Sequence, residues 1–250
     1  MTRAAVVPER EGDLIGLELA ELDPGQSFEP LCERETVVVV LGGVCEAVAA
    51  GESLGDAGGR SNVFEGPGYA IYAPPGTSLR LTAKNAAQLA IATAPLGAGT
   101  PAKARLIRPE DQRIDQVGKG NWSRSVRTML GPEHAAGRLL LGETINAPGA
   151  WSSYPPHKHD HESRPEEVKL EEVYLFKVDP AGGFGVQVHY EDGVQEAFVV
   201  KDDDVAVIRS GYHPVVGAPG YSLYYLWIMA GEGRLMIPHF DPAHVWVQES

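Results

Sequence analysis

From Glu35 onward the chain is cut into short apolar runs rich in Val, Ile, Leu, Tyr and Phe, most of them closed by Gly, Pro, Asn or Asp. ETVVVVLGGV, YAIYAPPGT, SLRLTA, QLAIATA, GRLLLGE, EVYLFKV, GFGVQVHY, EAFVV, DVAVIRSGY, SLYYLWIM and RLMIP follow one another in this way. Runs of that length between turn residues read as strands. A helix needs apolar positions recurring roughly every 3.6 residues over about ten, a period no segment sustains beyond short turns near Arg108 to Gln116. Many short strands at regular spacing predict an all-β architecture of the jelly-roll β-barrel type.

The runs also repeat. ETVVVVLGG with AIYAPPGTSLRLTA echoes EVYLFKV with AVIRSGYHPVVGA, which sets Glu35 against Glu172 and Ser78 against His213. Two stacked barrels follow from that correspondence. The polar stretch from Gly118 to Asn121 separates an N-terminal unit 1–119 from a C-terminal unit 120–250, with GNWSRSVRTML opening the second or crossing back over it. The first copy has SFEPLCERE and no H-x-H upstream of Glu35, and no histidine precedes His134. It is expected to keep the strand pattern without the chemistry, serving packing and the contacts of a homo-oligomer.

Chemistry concentrates in the second copy. In an extended chain alternate residues face one side, so His157 and His159 in YPPHKHD point together while Lys158 points away. Glu172 opens the strand pattern EVYLFKV, and His213 follows DVAVIRSGY after a Gly turn. Three imidazoles and a carboxylate suit a divalent transition ion, zinc foremost, or Mn, Fe, Ni or Co, with positions left open for water or substrate. His161 and Glu162, in the polar loop HDHESRPEE, are the substitutes for that set.

A net charge of −13 opposes a nucleic-acid or anionic-membrane partner, since either needs a basic face. A small anionic substrate stays compatible, because a local Arg or Lys overcomes a diffuse field that salt screens over about 8 Å. Cys32 and Cys45 form no CxxC pair and read as buried thiols. No stretch approaches the ~20 apolar residues that span a bilayer, and no basic start precedes an apolar run. The expectation is a cytoplasmic protein with no membrane partner.

The order H-x-H, Glu before a strand, then G-x-H resembles the two motifs of the cupin superfamily. LLLGETINAPGAWSSYPPHKHD, LEEVYLFKV, GFGVQVHYEDG and GYHPVVGAPGYSLYYLWIMAG followed by DPAHVW are similar to the 5-deoxyglucuronate isomerase family of myo-inositol breakdown, over nearly the whole chain. Asp203 and Arg209 stand where the second cupin motif usually has Gly and Pro. The resemblance implies a bicupin and a metal-dependent aldose–ketose isomerisation of 5-deoxy-D-glucuronate to 5-dehydro-2-deoxy-D-gluconate. Alternatives are the related 4-deoxy-5-keto-uronate isomerases of pectin breakdown and a non-catalytic sugar-binding cupin.

Strand parity supplies the remaining candidates. Tyr174 shares the inward face with Glu172, Gln187 lies on the following strand with His189, and Tyr212 and Tyr225 flank the His213 segment. Tyr174, Gln187 and Tyr225 are the catalytic candidates. Arg209 and Lys158, with Arg164 behind them, are candidates for binding a deoxyuronate carboxylate, Arg best through bidentate pairing.

Overall fold

A computed structural model describes residues 1–10, 12–97 and 103–249. Their regular structure is strand apart from short 3₁₀ turns, and no helix is long and apolar enough to cross a membrane. Contacts separate two units, one of residues 1–112 with 129–140, the other of 113–128 with the chain from Leu141 onward.

The first unit carries β1 (Thr2–Val7), β2 (Gly16–Leu22), β3 (Ser27–Phe28), β4 (Glu35–Gly42), β5 (Val44–Ala49), β6 (Glu52–Gly58), β7 (Tyr69–Ala73), β8 (Leu79–Ala83), β9 (Ala87–Ala94) and β10 (Arg105–Ile107). They form a six-stranded sheet, β1-β2-β9-β4-β7-β10, and a four-stranded sheet, β3-β8-β5-β6. The core lies between the sheets: Val38, Val40, Ile71, Leu89 and Ile91 of the larger pack against Phe28, Cys45, Ala47, Leu79 and Leu81 of the smaller. Strand β4 is buried along its whole length and apolar from Val37 to Leu41, whereas β8 alternates buried and open residues. Cys32 and Cys45 are free, buried thiols.

The second unit carries β11 (Arg113–Val117), β12 (Arg124–Leu130), β13 (Leu139–Asn146), β14 (Trp151–Ser152), β15 (His157–Lys158), β16 (Glu171–Asp179), β17 (Gly185–Glu191), β18 (Val194–Val200), β19 (Val205–Ile208), β20 (Val215–Gly217), β21 (Ser222–Ala230) and β22 (His239–Phe240). Its sheets run β11-β12-β13-β21-β16-β19 and β14-β20-β17-β18. The row β13-β21-β16-β19 reproduces β2-β9-β4-β7, and β14-β20-β17-β18 reproduces β3-β8-β5-β6. The sequence repeat is therefore a repeat of jelly-roll topology. The β15-β22 pair is the addition, and it carries His157.

One segment departs from the strand pattern and one turn keeps it with an unusual residue. RLMIP is no strand: Arg234 to Pro238 run irregularly before β22, because Arg234 takes a positive φ and no ladder reaches them. Asp203 adopts φ 63°, the left-handed conformation that the usual glycine supplies, which Asp tolerates better than most residues. Lys177 Nζ sits 2.7 Å from its carboxylate, so the turn keeps its shape with a different residue.

Candidate metal centre

His157 and His159 both face a cavity of about 290 Å³ in the second unit, and Lys158 turns away to Asp160 at 2.5 Å, as alternation requires. Glu172 enters from β16, and His213 stands just ahead of β20. His159 Nε2 lies 3.0 Å from Glu172 Oε2, and His213 Nε2 lies 3.1 Å from the same oxygen. His159, Glu172 and His213 are buried, and their ligand atoms all lie within 4.8 Å of one another, a group able to hold a metal ion. His157 stands beside this group, its ring 5.0 Å from that of His213 and 6.3 Å from that of His159 between centroids.

The protons on the two buried rings set what the group can bind. His159 Nδ1 meets the Leu170 carbonyl at 2.8 Å and His213 Nδ1 meets that of Gly211 at 3.0 Å, so each Nδ1 carries the ring proton. Both Nε2 lone pairs then converge on a carboxylate, which only accepts. Without a cation, one histidine must take an extra proton: burial lowers the His159 pKa, but the hydrogen bond and charge of Glu172 outweigh it and leave it raised. His213 Nε2 is buried and makes no hydrogen bond. A divalent ion accepts both lone pairs and the carboxylate at once, so these residues fit a metal.

The surroundings hold the group in place. Gln187 was expected to touch substrate; instead its amide donates to the carbonyls of His213 at 2.7 Å and Pro214 at 3.2 Å, which fixes the His213 segment from behind. Asp160 Oδ2 accepts the Gly211 N–H at 2.8 Å, tying the His-x-His strand to the same segment. Burial opposes the ionised form of Glu172, yet the hydrogen bond from His159 holds its pKa down to about 2. Desolvation by burial above all brings His157 down to about 3, which leaves it neutral at pH 7.

Tyr174 and Tyr225 line the cavity, with ring centroids 4.6 Å apart. Tyr174 shares a 2.9 Å hydrogen bond with Ser153, and Tyr225 pairs closely with Ser152. Burial, then the charge of Glu172, raises the Tyr174 pKa well above 10.0, so it remains a neutral phenol. Arg209 lies elsewhere, exposed at the end of β19 on a separate groove, because it follows the inward-facing Ile208 by one residue. Lys158 is occupied by Asp160, and Arg164 pairs with Glu162 at 2.6 Å. Tyr212 stacks on Tyr190.

What sequence reasoning missed is the rest of the wall. Arg124 and Val126 enter from β12 and Trp122 from the 3₁₀ turn before it, and Met236, Ile237, Pro238, Phe240 and Gln248 enter from the C-terminal segment. The loop between His159 and Glu172 contributes Leu170 alone. The odd placement of an Arg in the apolar-polar pattern of SRSVRTML was the only available signal.

In the first unit, Glu35 holds the place of Glu172 but its oxygens are taken. The N–H groups of Gly137, Arg138 (2.7 Å) and Leu139 (3.0 Å) and the Tyr72 hydroxyl (3.0 Å) all donate to it. Among the described residues, the candidate metal groups lie in the second unit. Its other group, Asp160, His161 and Glu167, is already neutralised by Lys158 and two backbone N–H donors.

Two jelly-roll units, one with a buried cluster of histidine and carboxylate opening on a cavity, define a bicupin. A solved oxalate decarboxylase of Bacillus subtilis shares that fold, with a TM-score of 0.64 over 90% of this chain and 71% of the other at 14% identity. The model of the KduI/IolB family matches residues 2–247, and the chain belongs to that family. A 5-deoxy-glucuronate isomerase of Geobacillus kaustophilus is 40% identical over 98% of this chain and 90% of its own. One from Bacillus subtilis strain 168 is 35% identical over 97% and 92%. The crystal structure of an IolB-like protein from Salmonella typhimurium LT2 superposes with a TM-score of 0.92 at 33% identity, covering 98% and 94%.

Proposed function

We propose that this protein is a cytoplasmic aldose–ketose isomerase that converts 5-deoxy-D-glucuronate to 5-dehydro-2-deoxy-D-gluconate in myo-inositol breakdown. The full-length relationship to 5-deoxy-glucuronate isomerases supports the reaction. The observation that carries the site is the convergence of His159 Nε2 and His213 Nε2 on one oxygen of the buried Glu172 carboxylate.

His159, Glu172 and His213, with His157 beside them, would hold a divalent transition ion, zinc foremost. Such an ion supplies Lewis-acid stabilisation of the negative charge that develops when a carbon next to a carbonyl loses its proton. The chain's own groups do the rest. The neutral Tyr174 phenol and its neighbour Tyr225 offer hydrogen bonds to substrate oxygens, and their serine partners orient them. Met229, Met236, Ile237, Phe240 and Trp227 line the cavity and exclude water from the reacting carbons. Gln187 acts through His213 and is a positioning residue.

Parallel assays test the reading. Metal-replete protein is expected to isomerise 5-deoxy-D-glucuronate with kcat/KM at least roughly a hundredfold above that for the 4-deoxy-5-keto-uronate, a gap of about 2.7 kcal/mol. Equal or reversed preference returns the substrate to the wider class of uronates. No turnover of either sugar favours a binding protein.

A further inference from the structure

We infer that Arg124, together with Thr144 and Trp227, forms the subsite that receives the carboxylate of the sugar acid. The inference rests on the sugar-acid reading above and deepens it: a deoxyuronate carries its carboxylate at the end of the chain opposite the aldehyde, so the cavity needs an anion site apart from the histidine cluster.

The wall of the cavity contains one cationic side chain of the Arg or Lys type, Arg124. Its Nη1 donates to the carbonyls of Trp122 at 3.0 Å and Tyr154 at 3.4 Å, which pins the guanidinium plane. Nε is buried without a hydrogen bond, and among the described residues Nη2 meets no acceptor. Nε and Nη2 form the edge with which a guanidinium grips both oxygens of a carboxylate. Among the described residues no ion pair engages Arg124, and Arg cannot shed its charge when partly desolvated.

Two more unspent groups line the same cavity. Thr144 Oγ1 and Trp227 Nε1 are buried and unpartnered. They sit on β13 and β21, the two strands that follow β12 in the sheet. Buried donors are rarely left unmade, since each costs about 1–3 kcal/mol. With Arg124 Nε, Thr144 Oγ1 and Trp227 Nε1 make three such groups on neighbouring strands, one of them part of a fixed positive charge, and together they match the acceptors of one carboxylate. The carboxylate candidates chosen from sequence are spent elsewhere: Lys158 on Asp160, Arg209 on the outer groove.

The test is calorimetric titration of metal-loaded protein with D-glucuronate and with D-glucuronamide, which differ at this group alone, the amide lacking the charge and one acceptor oxygen. Wild type is expected to bind glucuronate about thirtyfold more tightly. Arg124→Gln should bind both alike, within about threefold; Arg124→Lys should keep part of the preference, and Thr144→Val should lower it. Metal content and melting temperature equal to wild type exclude a folding defect. The assignment is overturned if wild type shows no preference or if Arg124→Gln retains it. A clear charge preference lost in Arg124→Gln, with no isomerisation of 5-deoxy-D-glucuronate by wild type, would keep the subsite and remove the isomerase reading.

Discussion

His213 Nε2 and Glu172 Oε2 lie 3.1 Å apart, both fully buried, with no hydrogen bond between them. Because Nδ1 of the ring donates to Gly211, the atom facing the carboxylate is a lone pair. Lone pair and carboxylate repel at that distance unless a cation joins them.

The protein should therefore purify with about one divalent transition ion per chain, and His213→Ala should retain at least tenfold less, because one ligand of a small set is lost. Elemental analysis decides. Full metal in the variant removes His213 from the ligand set, and a second ion bound near Glu35 contradicts the account of the first unit.

Chelation should abolish turnover yet leave the β-sheet circular dichroism nearly unchanged. The cores of both units are built from strands whose apolar residues pack independently of the cluster. Unfolding on chelation would make the site structural.

Gln187→Leu should weaken metal binding roughly ten- to hundredfold while leaving kcat of the metal-saturated enzyme close to wild type, since the amide holds His213 through its carbonyl and lies outside the cavity. A kcat loss that saturating metal does not recover would place Gln187 back at the substrate.

Glu35→Gln should destabilise the protein by roughly 2–4 kcal/mol, because a buried carboxylate that accepts three backbone N–H groups and a phenol is replaced by an amide with two donors of its own. Denaturant melts read the loss. Activity of the folded fraction should be retained.

Burial raises the Cys45 thiol to about 11 from 9.0. A folded value above the unfolded one means the folded state holds the proton longer. That stabilisation is fully present below about pH 9 and is lost as pH rises through 11. Denaturation midpoints followed from pH 8 to 11 should fall less steeply for Cys45→Ala than for wild type. An identical slope would show that the thiol does not contribute.

Strand order, the repeat and the inward parity of His157, His159, Glu172 and Tyr174 were legible because they are local. Alternation of side chains along a strand and the turn residues that end it are written within about ten residues. Asp203 shows the margin: its residue type departs from the motif, while its φ of 63° preserves the turn.

The sequence by itself determined that two jelly rolls form and that histidine and carboxylate side chains gather in the second, since burial of alternating apolar faces admits no other register. Tertiary structure alone decided that Gln187 and Arg209 lie off the cavity, that Glu35 is consumed by Gly137 to Leu139, and that Arg124, Thr144, Trp227 and the Met236–Phe240 stretch complete the wall. Those relations join residues far apart in the chain, where the neighbour is chosen by which strands pair and which donors are already spent. No spacing records that choice.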